Sequence, residues 1–227
     1  MKPLCKWDEI DTVLLDLDGT LLDKHFDDHF WEHHVPRAYA KKRKIATADA
    51  VVELMGYYRS VEDSLAWSNV DYWSKRLQLD IIGLKEELSH LITVHPRVPA
   101  FLEFLRQEAK PAYLVTAAHP KTLALKMHHA GLEHYFREMI CAEHLALPKQ
   151  DPLFWRRLQV KLGFSPERTM LADDTEKVLT AAEITGIGTL VHIARPSSRT
   201  RPRSSDNFIS ITYFGELLEH RHNEICS

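Results

Sequence analysis

The chain has 227 residues, of which 44% are hydrophobic and 27% charged, and it carries a formal net charge of −3 at pH 7. That is enough apolar material for one large domain, or for a domain carrying a smaller inserted one, and it excludes a disordered chain. The slightly acidic balance gives no general attraction to nucleic acid or anionic lipid, so neither nucleic acid nor a membrane is expected as a partner.

Lys2 and Lys6 are followed at once by Trp7-Asp8-Glu9 and Asp11, so no signal-peptide apolar stretch forms, and no run of eighteen apolar residues occurs further on. The first clear element is Val13-Leu14-Leu15, a buried strand of a parallel sheet with Asp16 and Asp18 at its carboxyl end and a sharp turn at Gly19-Thr20. Side chains two apart on an extended segment point the same way, so both carboxylates can face one cavity. Two acids there repel unless a cation joins them, which implies a hard, oxygen-preferring metal, Mg²⁺.

Residues 23–92 have a different texture, without a convincing strand. Val51, Leu54, Met55, Tyr58, Val61 and Leu65 follow the spacing of one helix face, and Val70–Leu79 and Ile81–Ile92 read as two more helices. A helical insertion leaving the end of the first strand overhangs the end of the sheet where ligands of such folds bind, in the position of a lid.

From residue 93 the chain alternates short β-rich runs with amphipathic helices. The strands are Ala112–Thr116, Glu138–Cys141, Thr169–Ala172 and Thr189–Ile193, with a final piece at Asn207–Thr212 before a Tyr213–His222 helix. Pro120 and Pro152 mark helix starts, the latter behind a capping Asp151, and Gly131, Gly163 and Gly186 mark helix ends. The pattern predicts an α/β fold, a doubly wound, Rossmann-like parallel sheet from residues 1–22 and 93–227, with an inserted helical cap domain at 23–92. The basic tracts Lys41–Lys44 and Arg195–Arg203 read as solvated surface, the second as an exposed loop. Cys5, Cys141 and Cys226 are scattered, which fits a reducing cytosol, and the 14 histidines lack ligand spacing. A cytoplasmic location is expected.

Four segments, in order, resemble the haloacid dehalogenase superfamily of phosphohydrolases: Asp16–Thr20 (DLDGT), Leu114–Thr116 (LVT), Pro148–Lys149 (PK) and Leu171–Asp174 (LADD). The resemblance implies that Asp16 is the nucleophile, forming an aspartyl-phosphate, and that Asp18 is the general acid and base. It implies Mg²⁺ held by the carboxylates of Asp16 and Asp174 and the backbone carbonyl of Asp18, with Asp173 one step behind. Lys149, the Thr116 hydroxyl and the Ala117 amide would bind phosphate. Relatives often have Asn where this chain has Ala117, and an acid where it has Val178.

Phe26–Pro36, Trp67–Trp73 and Thr116–Pro120 are similar to segments of bacterial GMP/IMP nucleotidases of that superfamily. A purine nucleoside monophosphate is therefore the expected substrate, with cap aromatics such as Phe30, Trp31, Tyr72 or Trp73 stacking on its base. A small sugar-phosphate phosphatase or phosphomutase shares every core motif. A non-catalytic nucleotide-binding protein on the same fold is the reading from a different class.

Overall fold

A computed structural model describes residues 4–219 of the chain. Six strands form one sheet: β1 (Thr12–Leu15), β2 (Ala112–Thr116), β3 (Glu138–Cys141), β4 (Thr169–Asp173), β5 (Thr189–Ile193) and β6 (Ile209–Ile211). Their order is β3-β2-β1-β4-β5-β6, and every neighbouring pair is parallel. β1 is completely buried, which its uninterrupted apolar run requires, because a parallel sheet is covered on both faces. Val13 and Leu15 enter one core cluster with Leu114, Met170 and Val191, while Leu14 enters the opposite one with Val115, Ile140 and Leu171.

The helices are α1 (His25–His29), α2 (Val35–Arg43), α3 (Thr47–Arg59), α4 (Val70–Leu77), α5 (Ile81–Glu87), α6 (Val98–Gln107), α7 (Pro120–Ala130), α8 (Pro152–Leu162), α9 (Glu176–Glu183) and α10 (Gly215–Glu219). Residues of α6, α7 and α10 pack on one face of the sheet and residues of α8 and α9 on the other. The α/β expectation therefore holds, and several ends move. β4 runs one residue further, to Asp173. Leu65 leaves the α3 stripe for a 3₁₀ turn at Leu65–Trp67, and the helix expected up to Ile92 stops at Glu87 before another at Ser89–Leu91. The last strand is shorter than expected, and Cys226 and the end of the last expected helix lie outside the described residues.

Between β1 and α6 every regular element is helical, and α1 runs into α2 through a π-helical turn at Phe30–His34. These helices share their own apolar cluster, built on Phe30, Val35, Leu54, Tyr58, Trp73 and Ile81. The chain enters and leaves them side by side: Asp23 donates its backbone N–H to Thr93 O (2.8 Å) and His95 donates to Leu21 O (2.9 Å). None of the described helices is long and apolar enough to cross a membrane.

Candidate active site

The chain leaves β1, fills β2 and β3 on one side, then crosses to β4 on the other. This reversal opens a crevice at the carboxyl ends of β1 and β4, the place where open α/β sheets bind ligands. Leu15 pairs with Ala172 and the Asp16 N–H donates to Ala172 O (3.0 Å), so Asp16 emerges beside Asp173 and Asp174. Gly19 then reverses the chain at a φ of +85°, its N–H donating to Leu22 O (2.8 Å). A Cβ there would come within 2.7 Å of Asp174 Oδ2 and 2.9 Å of Pro196 Cβ, so glycine is required by both backbone angle and space.

Lys149 is fully enclosed and donates to Asp16 Oδ1 (2.7 Å), Asp173 Oδ2 (2.6 Å) and Val115 O (2.9 Å). Burial lowers the affinity of its amine for a proton, but the two carboxylates outweigh this and hold the proton on more tightly than usual. Burial raises the Asp173 carboxyl to about 7 against the opposing charge of Lys149. Asp173 Oδ1 also accepts from the Thr175 N–H (2.9 Å), fixing the entry to α9. Asp174 is shifted upward by burial, with Lys24 opposing at 3.3 Å. The Thr116 hydroxyl accepts from the Ala118 N–H (3.0 Å), which leaves its own proton to donate, and Thr116 and Ala117 both line the same cavity.

That cavity encloses about 530 Å³ and reaches from Asp16, Asp18, Lys149 and Asp174 to the helical insertion. All seven residues expected at the site line it. Asp16, Asp173 and Asp174 present oxygens within 4.8 Å of one another. Such a set of hard carboxylate donors fits Mg²⁺. Val178, an apolar side chain, lines the cavity along with Asp174 and Thr175.

The insertion closes over the cavity through polar contacts with the sheet domain. Lys121 meets Asp71 (2.6 Å), Lys177 meets Asp63 (2.7 Å) and Gln150 donates to Asp63 (3.3 Å). Its aromatic wall differs from the expected one. Phe30 is buried in the insertion's own core, and Tyr72 packs beside Trp73 away from the cavity lining. Trp31, Tyr58, Trp67 and Trp73 line the cavity; Trp73 is nearly sealed, with Nε1 donating to Trp67 O (2.9 Å), while Trp67 is 47% exposed. The arginine-rich loop also departs from a plain solvated strip. Pro196 O accepts from the Lys24 N–H (2.9 Å) and Ser197 is buried, so the loop's start braces the turn after β1.

Among the charged residues lining this cavity that were not picked out from the sequence are Asp28, Glu32, Arg59 and Glu62, together with Lys24, Asp27, Lys85 and Lys126. The last had a signal, because Thr122, Leu123, Lys126 and Met127 form one buried stripe of α7, which places a lysine on a core face.

Comparison with known proteins agrees with this geometry. A family model described as haloacid dehalogenase-like hydrolase matches residues 10–184. The GMP/IMP nucleotidase YrfG of Escherichia coli K12 is 33% identical over 212 residues, 93% of this chain and 96% of that protein. A phosphorylated carbohydrates phosphatase of Thermotoga maritima is 23% identical over 192 residues, 78% of this chain and 82% of that protein. Among solved structures, a HAD phosphatase from Thermococcus onnurineus superposes with a TM-score of 0.78 at 25% identity, covering 93% of this chain and 98% of that one. With the four sequence segments gathered around one crevice and these matches spanning most of its length, the chain belongs to the haloacid dehalogenase-like hydrolases and is a phosphatase.

Proposed function

We propose that the protein is a cytoplasmic, Mg²⁺-dependent purine 5′-nucleotidase that hydrolyses GMP or IMP through an aspartyl-phosphate on Asp16. The observation that carries the chemistry is the buried contact of Lys149 with Asp16 beside the three converging carboxylates. Asp16 attacks phosphorus; as the Asp16–phosphorus bond forms, the bond to the ribose oxygen breaks and Asp18 gives that oxygen its proton. Water then attacks phosphorus, passes a proton back to Asp18 and releases inorganic phosphate with Asp16 restored. Lys149, the Thr116 hydroxyl and the Ala117 amide neutralise and align the phosphoryl oxygens. Asp16, Asp174 and the Asp18 carbonyl would hold Mg²⁺, which supplies Lewis-acid charge when bound, while Lys149 and the Thr175 amide keep Asp173 in place.

In this reading residues 23–92 form the cap, joined to the core at the paired crossings of Asp23 with Thr93 and Leu21 with His95. The purine reading is supported by the aromatic wall, to which Trp31 and Trp67 contribute, by a cavity large enough for a nucleoside monophosphate, and by the similarity to YrfG. The buried, unpaired thiols of Cys5 and Cys141 suit the reducing cytoplasm. The test is phosphate release with Mg²⁺ from GMP, IMP, AMP, pyrimidine nucleotides and sugar phosphates, with Asp16→Asn as control. Release chiefly from GMP and IMP, abolished in Asp16→Asn, is expected. A preference for sugar phosphates would overturn the substrate and keep the chemistry, whereas full activity in Asp16→Asn would overturn the nucleophile.

A further inference from the structure

Behind Asp18 runs a chain of alternating charges that the phosphate-binding groups do not use. Lys126, on α7, is 1% exposed and donates to Asp18 Oδ1 (2.6 Å) and to Asp27 Oδ2 (2.5 Å). Asp27, on α1, accepts at its other oxygen from Lys85 Nζ (2.8 Å). Lys85, on α5, is 2% exposed and lies over the rings of Phe30 (4.3 Å) and Phe26 (4.9 Å). With Asp18 ionised the four groups are neutral as a set, and each buried amine has a carboxylate, the condition for keeping charge out of water.

Two features set this chain apart from ordinary packing. Its two ends belong to different parts of the molecule, with Asp18 in the turn after β1 and Lys85 in the helical insertion, and Lys126 of the sheet domain grips a carboxylate from each. It also engages Asp18 through Oδ1, so Oδ2 is the oxygen left to meet a leaving group. We propose that Lys126 is a positioning residue for Asp18, and that through Asp27 it ties the orientation of that carboxylate to the seating of the cap. This rests on Asp18 being the acid and base of the proposed hydrolysis. With the cap seated, Asp27 fixes the Lys126 ammonium, and Lys126 fixes Asp18; with Asp27 withdrawn, Lys126 loses one of its two anchors and Asp18 its set rotamer.

The test uses the full-length protein with Mg²⁺, comparing Lys126→Met, Asp27→Asn and Asp18→Asn with the parent on GMP and on p-nitrophenyl phosphate. Positioning of an acid and base predicts a kcat for GMP about 100-fold lower in Lys126→Met, with KM within about 3-fold, and a smaller kcat loss in Asp27→Asn. The aryl ester adds a signature that simple structural damage would not give. Its leaving group needs little protonation, so Lys126→Met should release a burst of about one nitrophenol per active site, followed by slow turnover as water attack on the aspartyl-phosphate becomes limiting. A folded Lys126→Met with parental kcat, or with a loss confined to KM, overturns the proposal. Should Lys126→Met not fold, Asp27→Asn carries the test, and a parental kcat there overturns the link to the cap. Asp18→Asn separates the levels: parental activity in it refutes the acid–base reading itself, whereas an inactive Asp18→Asn beside an intact Lys126→Met refutes only the positioning role.

Discussion

Replacing Lys149 with methionine removes one ammonium and leaves two carboxylates facing each other. The side chains of Lys149, Asp16 and Asp173 are 3%, 8% and 2% exposed, and the ammonium lies 2.7 and 2.6 Å from its two partners. Breaking a buried ion pair by removing one member costs about 3–5 kcal/mol, and the Val115 carbonyl loses its contact as well. Against a typical stability of about 5–15 kcal/mol the variant still folds, but visibly weakened. With a urea slope of about 2 kcal/mol/M, the midpoint falls by about 2 M. The measurement is urea unfolding in EDTA, so that no cation takes the place of the ammonium. Adding Asp173→Asn removes one of the two opposed charges and leaves Oδ1 to accept from Thr175, so the double variant should regain about 2 kcal/mol. A Lys149→Met midpoint within about 0.5 M of the parent, or no recovery in the double variant, would refute the assignment of Lys149 as the counter-charge of the site.

Two further outcomes are expected. Gly19→Ala forces a side chain into the left-handed region and against Asp174 and Pro196, so stability should drop by about 1–3 kcal/mol and kcat at least about 10-fold; turnover within 2-fold of the parent would contradict the tight turn. Burial raises the Asp28 carboxyl from 3.8 to about 6, with Glu32 and Asp27 adding to it and Lys24 opposing. The folded state therefore holds more protons than the unfolded one between those values, and stability falls as pH rises through that window. Asp28→Asn should remove that component and gain on the parent by on the order of 1 kcal/mol at pH 7 relative to pH 4, read from thermal unfolding at both; a constant difference between the two proteins would refute it.

The parts of the site that follow strand ends were legible in the sequence. Asp16, Thr116 and Asp173-Asp174 each come directly after or within an apolar run whose burial fixes where the chain must turn, and the three runs form adjacent strands of the sheet. Lys126 and Lys85 were not, since a lysine in a helix normally reaches solvent, and their burial depends on Asp18 and Asp27 arriving from distant elements. The aromatic wall was half legible. Ring-rich segments were apparent, but Phe30, fully buried, and Trp67, nearly half exposed, differ only in how the insertion's helices pack. The π-helical turn at Phe30–His34 has no period that an α-helical pattern would reveal.

The place of β1 at the middle of the sheet also shapes how the chain reaches its fold. Val13 pairs with Ala112 and Thr12 with Thr169, so β1, made before the other strands of this sheet, waits for partners from about 100 and 157 residues further on. Long loops must close before those pairings reward the chain, which makes them late events. The helical insertion has no such delay, because its apolar cluster draws on residues 30–88 alone and is complete before β2 has been made. During synthesis the segment that covers the crevice can therefore collapse first, while β1, the strand that leads to Asp16, stands with both edges unpaired. That interval is when this protein is most open to aggregation or to a chaperone, and substitutions that weaken the β1–β4 pairing should lower the yield of folded protein more than its final stability.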